Sequence, residues 1–359
     1  AYLFLDAAFA TGSIGHKMTM GYQGNDSRIR QYEDHVPSSP PQYVDVGGGA
    51  LPFGSSEQVG KPSYSIGNGN QRLASTSQSN NFLIGDVITF NDQWSSILGV
   101  TRTQIKSYAN DFIYSNPAKK TRYDESKTSP SVSLIYKPVP WLTTYATYIE
   151  GLQAGGTAPY NAVNAGEIFA PQVSKQYEIG AKATVGDALL TLALFNIEKP
   201  NGFLSEGMIY TESGKQVNNG LEFSVTGKVT PELTVVGGFT LLDPKVKDAD
   251  NKANDGNAPV DVAKQLAKVY AEYDINALPG LALTGGAFYT GRQYTDVSND
   301  YELPSFTTFD AGARYRMKVS ENDLTLRMNV SNLANKDYWL NSHYLGDPRT
   351  VQFSAQLEF

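Results

Sequence analysis

The C-terminal stretch 322–359 alternates between apolar and polar residues in two segments, 324–330 and 351–359, which flank a polar loop. Successive residues of a β-strand point to opposite faces, so each segment has one apolar face and one polar face. A soluble sandwich strand shows the same alternation. Here, however, the polar face carries Arg327 in mid-strand, and the chain stops on Phe359 of the apolar face. A sheet that is apolar outside and polar inside is typical of the wall of a transmembrane β-barrel.

The same alternation recurs upstream, most clearly in three segments. The residues that we predict to face outward are Leu233, Val235, Gly237, Phe239 and Leu241 in the first, Ala267, Val269, Ala271, Tyr273 and Ile275 in the second, and Phe309, Ala311, Ala313, Tyr315 and Met317 in the third. The segment 82–90 is less regular. We therefore predict an all-β fold, an antiparallel transmembrane sheet of about 15 strands, most of them long enough for the ~9–11 residues of a tilted membrane strand.

Short turns and long polar loops alternate between these strands. The turns are predicted at 11–15, 91–93, 138–140, 185–187, 230–232, 277–280 and 318–323, and the loops near 23–71, 108–127, 153–173, 198–214, 244–259, 295–303 and 334–346. Outer-membrane barrels have short periplasmic turns and long extracellular loops, so the alternation predicts which end is which. We expect residues 1–359 to form a single domain, the C-terminal portion of a barrel. Both terminal strands are predicted to run toward the periplasm, so a closed barrel requires strands that this chain lacks.

Aromatic residues support this orientation. Outward aromatics near the short turns are Tyr136, Tyr273, Tyr315 and Phe359, and Trp94 and Trp141 directly follow short turns. Such a distribution is typical of the aromatic girdle at a membrane–water interface. The alternative is a soluble sandwich, which would bury Glu222, Lys268 and Arg314 between two sheets at a high desolvation cost.

Composition excludes several classes of protein. Only 40% of the 359 residues are hydrophobic, the mean hydropathy is -0.34, and no apolar run approaches the ~18 residues of a spanning helix. The net charge of -7 argues against a nucleic-acid partner, and the absence of cysteine excludes disulfides and thiolate metal sites. The chain opens inside an apolar segment, 1–10, without a signal peptide, so we expect an N-terminal part to be missing.

Several motifs resemble one family of bacterial outer-membrane proteins. Residues 329–339, NVSNLANKDYW, resemble the N-L-x-(N/D)-K-x-Y element of TonB-dependent receptors, and 346–349, GDPR, resembles the lead into their last strand. Residues 171–182, PQVSKQYEIGAK, resemble the family's P-E-x-S-x-x-Y-E-x-G-x-K strand, with Gln172 in place of the usual Glu. Further matches in the expected order are SVSLIYKP at 131–138, YATYIEG at 145–151, ALFNI at 193–197 and GLEF at 220–223.

This resemblance implies a fold and a function. Such receptors are 22-stranded barrels with a plugged lumen, so about seven strands, the plug and the N-terminal segment that engages the TonB complex are expected upstream of this chain. The stretch 151–174 has neither a His nor the haem-receptor motif, which favours the siderophore branch. The implied protein is a receptor in the bacterial outer membrane, monomeric and surrounded by lipid, that captures a ferric siderophore and imports it with energy from TonB. The alternatives are a passive porin, or a TonB-dependent receptor for another cargo such as cobalamin.

The chain carries no enzyme motif, and we expect no catalysis. A stretch at 248–256 resembles a calcium loop but lacks the acidic residue that follows its Gly. The resemblance implies no cofactor, because iron arrives already coordinated in the chelate. Aromatic faces and Arg donors suit such an anionic ligand, although each residue alone could instead serve loop packing. The candidate ligand-binding residues are Tyr114, Arg122, Tyr160, Arg292, Tyr294, Tyr301, Trp339, His343 and Tyr344, and a wider set adds Tyr210 and Arg349.

Overall fold

The computed structural model describes residues 1–32, 71–111, 119–159, 161–205, 207–247 and 252–359. Its strands are β1 Tyr2–Thr11, β2 Ile14–Tyr32, β3 Gln71–Thr89, β4 Trp94–Asp111, β5 Lys119–Val139, β6 Leu142–Gln153, β7 Gln172–Val185, β8 Asp187–Leu204, β9 Tyr210–Lys228, β10 Leu233–Lys247, β11 Gln265–Asp274, β12 Leu281–Thr290, β13 Gln293–Tyr294, β14 Glu302–Leu303, β15 Phe306–Val319, β16 Asn322–Ser331 and β17 Thr350–Glu358. A 3-10 turn spans Lys252–Asn254. No helix among the described residues is long and apolar enough to cross a membrane.

Fifteen of these strands form one antiparallel sheet in which each strand pairs with its neighbours in the chain. The order runs from β1 to β12 and continues with β15, β16 and β17, whereas β13 and β14 form a separate two-stranded ribbon. The predicted number of strands and their antiparallel arrangement are therefore confirmed. Because every strand of the described sheet lies in a single layer, the soluble sandwich with two packed sheets is wrong.

The register of the strands separates an apolar face from a polar one. Residues paired across antiparallel strands share a face. One row joins Leu241 to Leu221, Leu194 and Ile179 in successive strands, and Ile179 is 58% exposed. The predicted outward residues of 233–241, 267–275 and 309–317 lie in such apolar rows, so their faces are confirmed. We call this apolar side the outward face.

The irregular segment 82–90 belongs to β3 and carries a polar residue on the outward face. Asp86 pairs with Met18 and Leu98, which places it among apolar neighbours. Its Oδ2 lies 2.7 Å from Nδ1 of His16, and the His16 ring stacks on Phe9 with a centroid distance of 4.8 Å. The irregular pattern therefore results from one polar pair near the short-turn end, where we predict the aromatic girdle.

The short turns lie where we predicted them, but several strands continue further at the other end. The predicted bounds of two loops are wrong. Strands β4 and β5 remain paired as far as Asp111 and Lys119, so the predicted loop 108–127 is too long. Likewise, only 205–209 lie between β8 and β9, where we predicted a loop over 198–214. Above the apolar belt the outward positions become polar, so the alternation of hydrophobicity disappears while the backbone pairing continues. The predicted loop 23–71 begins later for the same reason, and its residues 33–70 lie outside the described part of the chain.

Candidate ligand-binding mouth

Three connections lie together at the long-loop end of strands β10 to β17. They are the 252–264 loop before β11, the 291–305 segment that contains β13 and β14, and the 332–349 loop between β16 and β17. Because β11, β12, β15, β16 and β17 are consecutive neighbours in the sheet, these connections leave adjacent strand ends. We call their combined surface the outer mouth.

The first two connections are joined by side-chain amides. Nδ2 of Asn299 donates to the Ala258 carbonyl at 2.9 Å, and Oδ1 of Asn299 accepts from the Ala258 N–H at 2.8 Å. Asn257 adds a bond of 3.0 Å from its Nδ2 to the Val297 carbonyl. Asn299 has a φ of 62°, which Asn tolerates better than most residues. The 291–305 segment is therefore held against the 252–264 loop by reciprocal hydrogen bonds.

Asp261 connects all three parts of the outer mouth. Its N–H donates to the Tyr294 carbonyl at 2.9 Å. Its carboxylate accepts from the N–H of Ser342 at 2.8 Å and from the Ser342 Oγ at 2.6 Å. The buried amide of Gln293 also donates to the Leu340 carbonyl at 3.3 Å. Hydrogen bonds that involve an ionised group are shorter and stronger than neutral ones, so Asp261 is the principal junction.

Asn332 stabilises the 332–349 loop through hydrogen bonds of its side chain to the loop backbone. Only 4% of Asn332 is exposed, and its φ is 49°. Its Nδ2 donates to the carbonyls of Lys336 and Asp347 at 2.9 and 3.0 Å, and its Oδ1 accepts from the Lys336 N–H at 2.8 Å. Its own N–H donates to Oδ1 of Asp310 on the wall at 3.0 Å. This Asn therefore satisfies backbone groups that the loop would otherwise leave unpaired.

An aromatic stack anchors the same loop to the wall. The Tyr338 ring stacks on Phe306 with a centroid distance of 4.2 Å, and burial raises the pKa of the Tyr338 hydroxyl. A Cβ at Gly346 would collide with the Tyr338 ring. Gly346 is needed there because only a residue without a side chain lets the backbone approach the ring so closely.

The 291–305 segment ends in a loop that is organised by Asp296. Its carboxylate accepts from the N–H of Tyr301 at 2.8 Å and from that of Asp300 at 3.2 Å. These backbone donors, that of Tyr301 first, hold the pKa of Asp296 below its usual range. The Arg292 guanidinium, which is 71% exposed, lies 3.1 Å from a Glu302 carboxylate oxygen. The loop therefore presents Tyr301 and Arg292 to solvent on a defined backbone.

Two cavities open beside these loops, on different sides of the wall. One of about 340 Å³ is lined by Arg292, Tyr294, Glu302, Lys264, Gln265 and Tyr289. Gln265 and Tyr289 lie in outward rows, since they pair with Leu241 and Ala267. The other, of about 190 Å³, is mainly apolar and is lined by Phe203, Gln216, Val246, Ala258, Pro259, Val260 and Val297. Gln216 and Val246 are partners in a polar-face row, so this second cavity faces the interior.

The interior wall below the outer mouth is charged and well paired. The Arg314 side chain is 9% exposed, and its Nη2 lies 2.6 Å from Oε1 of Glu272 and 3.1 Å from Oδ1 of Asp274. Its Nε donates to the other Glu272 oxygen at 3.2 Å. In the described part of the chain, no group of three His, Cys, Asp or Glu residues is placed to hold a metal ion.

Comparison with known protein families decides what this wall belongs to. Residues 4–333 match the family model described as TonB dependent receptor-like, beta-barrel. The chain belongs to this family. The sheet is therefore a TonB-dependent receptor barrel wall in the bacterial outer membrane.

Individual relatives agree with this assignment. The chain is 31% identical over 98% of its length to the ferrichrome receptor FcuA of Yersinia enterocolitica, of which it covers 47%. It is 25% identical over 97% of its length to the metal-pseudopaline receptor CntO of Pseudomonas aeruginosa, of which it covers 49%. Among solved structures, the ferric preacinetobactin receptor BauA of Acinetobacter baumannii superposes with a TM-score of 0.79 at 30% identity, over 99% of this chain and 53% of that one. The chain thus spans about half the length of the curated relatives it matches.

The structure shows what residues of the family-like motifs at 329–339 and 346–349 do. In this TonB-dependent receptor, Asn332, Tyr338 and Gly346 hold the 332–349 loop in shape, as described above, and Asn335 accepts the Arg349 N–H at 3.1 Å. The strongest family signals in the sequence are therefore residues that build the barrel and its last loop.

The structure brings together most, but not all, of the predicted ligand-binding residues. Those that lie on the outer mouth are Arg292, Tyr294, Tyr301, Trp339, His343 and Tyr344. Tyr301 and Tyr344 are 72% and 67% exposed, and Trp339 is 45% exposed. His343 is also exposed, and its Nδ1 lies 2.7 Å from the Ser342 Oγ. Tyr114 and Tyr160 lie outside the described residues.

Arg122 lies apart from this group. It is on β5, where its guanidinium carbon is 5.8 Å from the centre of the Tyr108 ring. Strands β6 to β11 separate it from β12 in the sheet, and its partner Tyr108 is in an outward row. Tyr210, from the wider set, lies in a different loop pair, where its N–H donates to Oδ1 of Asn164 at 2.8 Å.

Sequence reasoning missed the interior cavity and the junction at Asp261. The cavity had one signal in the sequence, because Ala258, Pro259 and Val260 form an apolar run inside an otherwise polar loop. The junction at Asp261 had no signal in the sequence, since Asp261 and Ser342 are far apart in the chain.

Proposed function

We propose that this chain forms the barrel wall and outer mouth of a receptor that captures a ferric siderophore at the cell surface and imports it with energy from the TonB complex. The observation that carries the proposal is the outer mouth itself, in which three neighbouring connections are fixed to one another through Asp261 and Asn299. A fixed surface loses less entropy on binding than separate mobile loops do. FcuA is named a ferrichrome receptor and BauA a ferric preacinetobactin receptor, and both belong to the class that we assign to this chain.

The chemistry of the outer mouth suits a bulky chelate. Tyr301, Trp339 and Tyr344 supply exposed rings with polar tips, which bury apolar area and still donate hydrogen bonds. Arg292 supplies charge-assisted donors. Its ion pair with Glu302 is solvent-exposed and therefore weak, so a ligand could displace Glu302 at a small cost in free energy. The interior cavity beside Pro259 provides an apolar surface on the route inward.

Iron itself needs no protein ligand in this scheme, because the chelate already fills its coordination sphere. We therefore propose that the receptor uses no cofactor. Its partners would be the ferric chelate, the TonB complex through a region outside this chain, and the lipid of the outer membrane around a monomeric barrel.

Catalysis is not part of the proposal, although Asp261, Ser342 and His343 lie together. In a hydrolytic triad the acid orients the His and the His takes the proton of the Ser hydroxyl. Here the Ser342 Oγ donates directly to Asp261 at 2.6 Å, whereas Nδ1 of His343 is 3.9 Å from that carboxylate. The Ser342 hydroxyl is hydrogen-bonded to the Asp261 carboxylate, an arrangement that suits a structural connection between loops.

The proposed site can be tested by binding measurements on the full-length receptor. Replacing Tyr301 and Tyr344 with Ala should weaken binding of the growth-supporting ferric chelate by more than about 1 kcal/mol, the usual threshold for an energetically important contact. Tyr301→Phe with Tyr344→Phe separates the ring from the hydroxyl. The matched control is Leu278→Ala, which removes a side chain that is 57% exposed in a short turn at the opposite end of the wall.

The ligand panel should include chelates of metals other than iron, because CntO is named a metal-pseudopaline receptor. Unchanged affinity in the double Ala variant would move the site to the predicted loops 108–127 and 153–173. Unchanged iron-limited growth after deletion of the whole gene, in a strain without a redundant receptor, would contradict the siderophore assignment and leave the other cargoes.

A further inference from the structure

The interior cavity at the outer mouth has the size of one ring-shaped group. Its volume is about 190 Å³, and its lining side chains include Phe203, Val246, Pro259 and Val297. An apolar cavity of ~150 Å³ inside a protein is already large enough to bind benzene. The interior cavity can therefore hold a six-membered ring together with a small polar substituent.

Hydrogen bonds fix one wall of this cavity, which β10 and the two neighbouring loops share. The N–H of Val246 donates to the Asn257 carbonyl at 2.8 Å. Asn257 donates in turn from Nδ2 to the Val297 carbonyl at 3.0 Å. The Asn299 amide binds both the N–H and the carbonyl of Ala258. This wall therefore has its shape before a ligand arrives, which lowers the entropy cost of binding.

The other wall is the end of the β8–β9 hairpin. Gly214 lies two residues before Gln216 on β9, so both residues face the interior. A Cβ at Gly214 would lie 3.3 Å from the Phe203 ring. The ring of Phe203 therefore lies over Gly214 on the interior face and gives the cavity an aromatic wall.

The lining of the cavity is uncharged and contains two amide side chains. Among the residues that the structure describes, no charged side chain lines it, and Gln216 and Asn254 supply the amides. Gln216 is 6% exposed, and its Nε2 donates to Oδ1 of Asn218 at 2.9 Å. That bond orients the Gln216 amide, which has a second N–H and a carbonyl oxygen to offer a ligand. The cavity therefore suits a neutral, mainly apolar group with a hydrogen-bonding substituent.

We propose that this cavity is a subsite for an aryl arm of the chelate, a phenyl or hydroxyphenyl group, and this inference rests on the function proposed above. A free carboxylate would lose its hydration there and find no counter-ion, so the anionic core of the chelate stays outside, beside Arg292. An alkyl arm of the same volume would lose more rotamer freedom on entry and would gain no ring contact with Phe203. The cargo class is therefore a chelate that carries a neutral aromatic group beside its metal-binding core.

The test compares two synthetic ferric trihydroxamate chelates on the full-length receptor by calorimetry. They share one core, and its pendant amine carries either a benzoyl or an acetyl cap. Wild type should bind the benzoyl-capped chelate about tenfold more tightly, because burial of a phenyl ring contributes at least that factor. Val297→Trp places an indole at the rim of the cavity, where Val297 is 53% exposed, and should reduce the preference to within about twofold. The matched control is Val163→Trp, at an exposed residue of the long-loop end outside the cavity lining, and it should keep the full preference.

Equal affinity of wild type for the two chelates would overturn the proposal, and so would a preference that survives in Val297→Trp. Folding of each variant is checked by heat-modifiable migration, and if Val297→Trp does not fold, Val297→Phe should reduce the preference instead.

A second measurement needs no chelate. Crystals of the full-length receptor soaked in 4-iodophenol should show anomalous scattering from iodine inside the cavity, and iodine at other places only would overturn the proposal. The proposed function fails in a different way. In that case no ferric chelate of any core binds, although iodine still occupies the cavity, and the ring site then stands without a chelate.

Discussion

Phe353 provides a sharp test of which face of the wall meets lipid. It is 70% exposed in β17 and pairs with Met328 of β16, another outward residue. It lies six residues before Phe359 at the short-turn end, which at ~3.4 Å per residue and a tilt of about 40° is roughly 15 Å into the membrane, near its middle. Arg at that depth on the lipid face costs ~2–4 kcal/mol, so Phe353→Arg should lower the folding equilibrium constant by about thirtyfold to about a thousandfold.

The neighbouring residue supplies the control. Gln352 is also exposed but pairs with Asn329 on the interior face, where Arg327 already lies at a similar depth. Gln352→Arg should therefore change the unfolding free energy by no more than about 0.5 kcal/mol, as surface substitutions usually do. Phe353→Leu separates the loss of the ring from the gain of charge. The assay is equilibrium unfolding of the full-length receptor in lipid vesicles, and equal losses for the two Arg variants would show that the faces are assigned wrongly.

Three further predictions concern the charged groups of the wall and the outer mouth. Arg314→Gln replaces the charged donors of Glu272 with weaker, uncharged ones. Because the Glu272 carboxylate is partly exposed, we expect the unfolding free energy to fall by about 1–2 kcal/mol. An unchanged unfolding free energy would show that this ion-pair network does not stabilise the wall. Ser342→Ala removes the side-chain bond to Asp261, so amide exchange in the 332–349 loop should rise by about fivefold, and unchanged exchange would show that the backbone bond alone suffices. The pKa of Asp296 is lowered in the folded loop, so its stabilisation is present above about pH 4 and is lost as pH falls through the depressed value. Cleavage of the 291–305 segment by an acid protease should therefore rise over that range in wild type, whereas Asp296→Asn should show little dependence on pH.

The sequence predicted the wall well because one physical rule determines it. Lipid on one side and a polar interior on the other impose a two-residue period, and short turns interrupt that period at regular places. The same rule failed where the outward environment changed. Beyond Arg102 on β4 and Thr128 on β5 the strands remain paired, but the outward positions are polar, so the apolar residues that mark a strand are absent.

The segment around Asp86 shows a second limit. A carboxylate in an outward row reads as an interruption of the strand, because a lone charge in lipid is costly. Its partner is His16, which is distant in the chain and reaches it only through the pairing of β2 with β3. A compensating contact between neighbouring hairpins leaves no local trace in the sequence.

The outer mouth was predictable in composition but not in arrangement. Aromatic and Arg residues in the last loops pointed to a binding surface, and six of the nine candidates do lie there. Their placement, however, depends on Asp261 and Asn299, whose partners lie 81 and 41 residues away. Hydrogen bonds between separate loops have no periodicity, so only the three-dimensional arrangement of the strands reveals them.

The residues that identify the family and the residues that would select the cargo are therefore different sets under different physical constraints. Asn332 and Gly346 have little freedom, because backbone groups must be paired inside a tight loop and a ring must pass close to the main chain. Tyr301 and Tyr344 are exposed and can be replaced without disturbing the wall. We therefore expect receptors for different chelates to share the first set and to vary the second. We likewise expect the cargo specificity of the proposed receptor to depend on the exposed residues of the outer mouth.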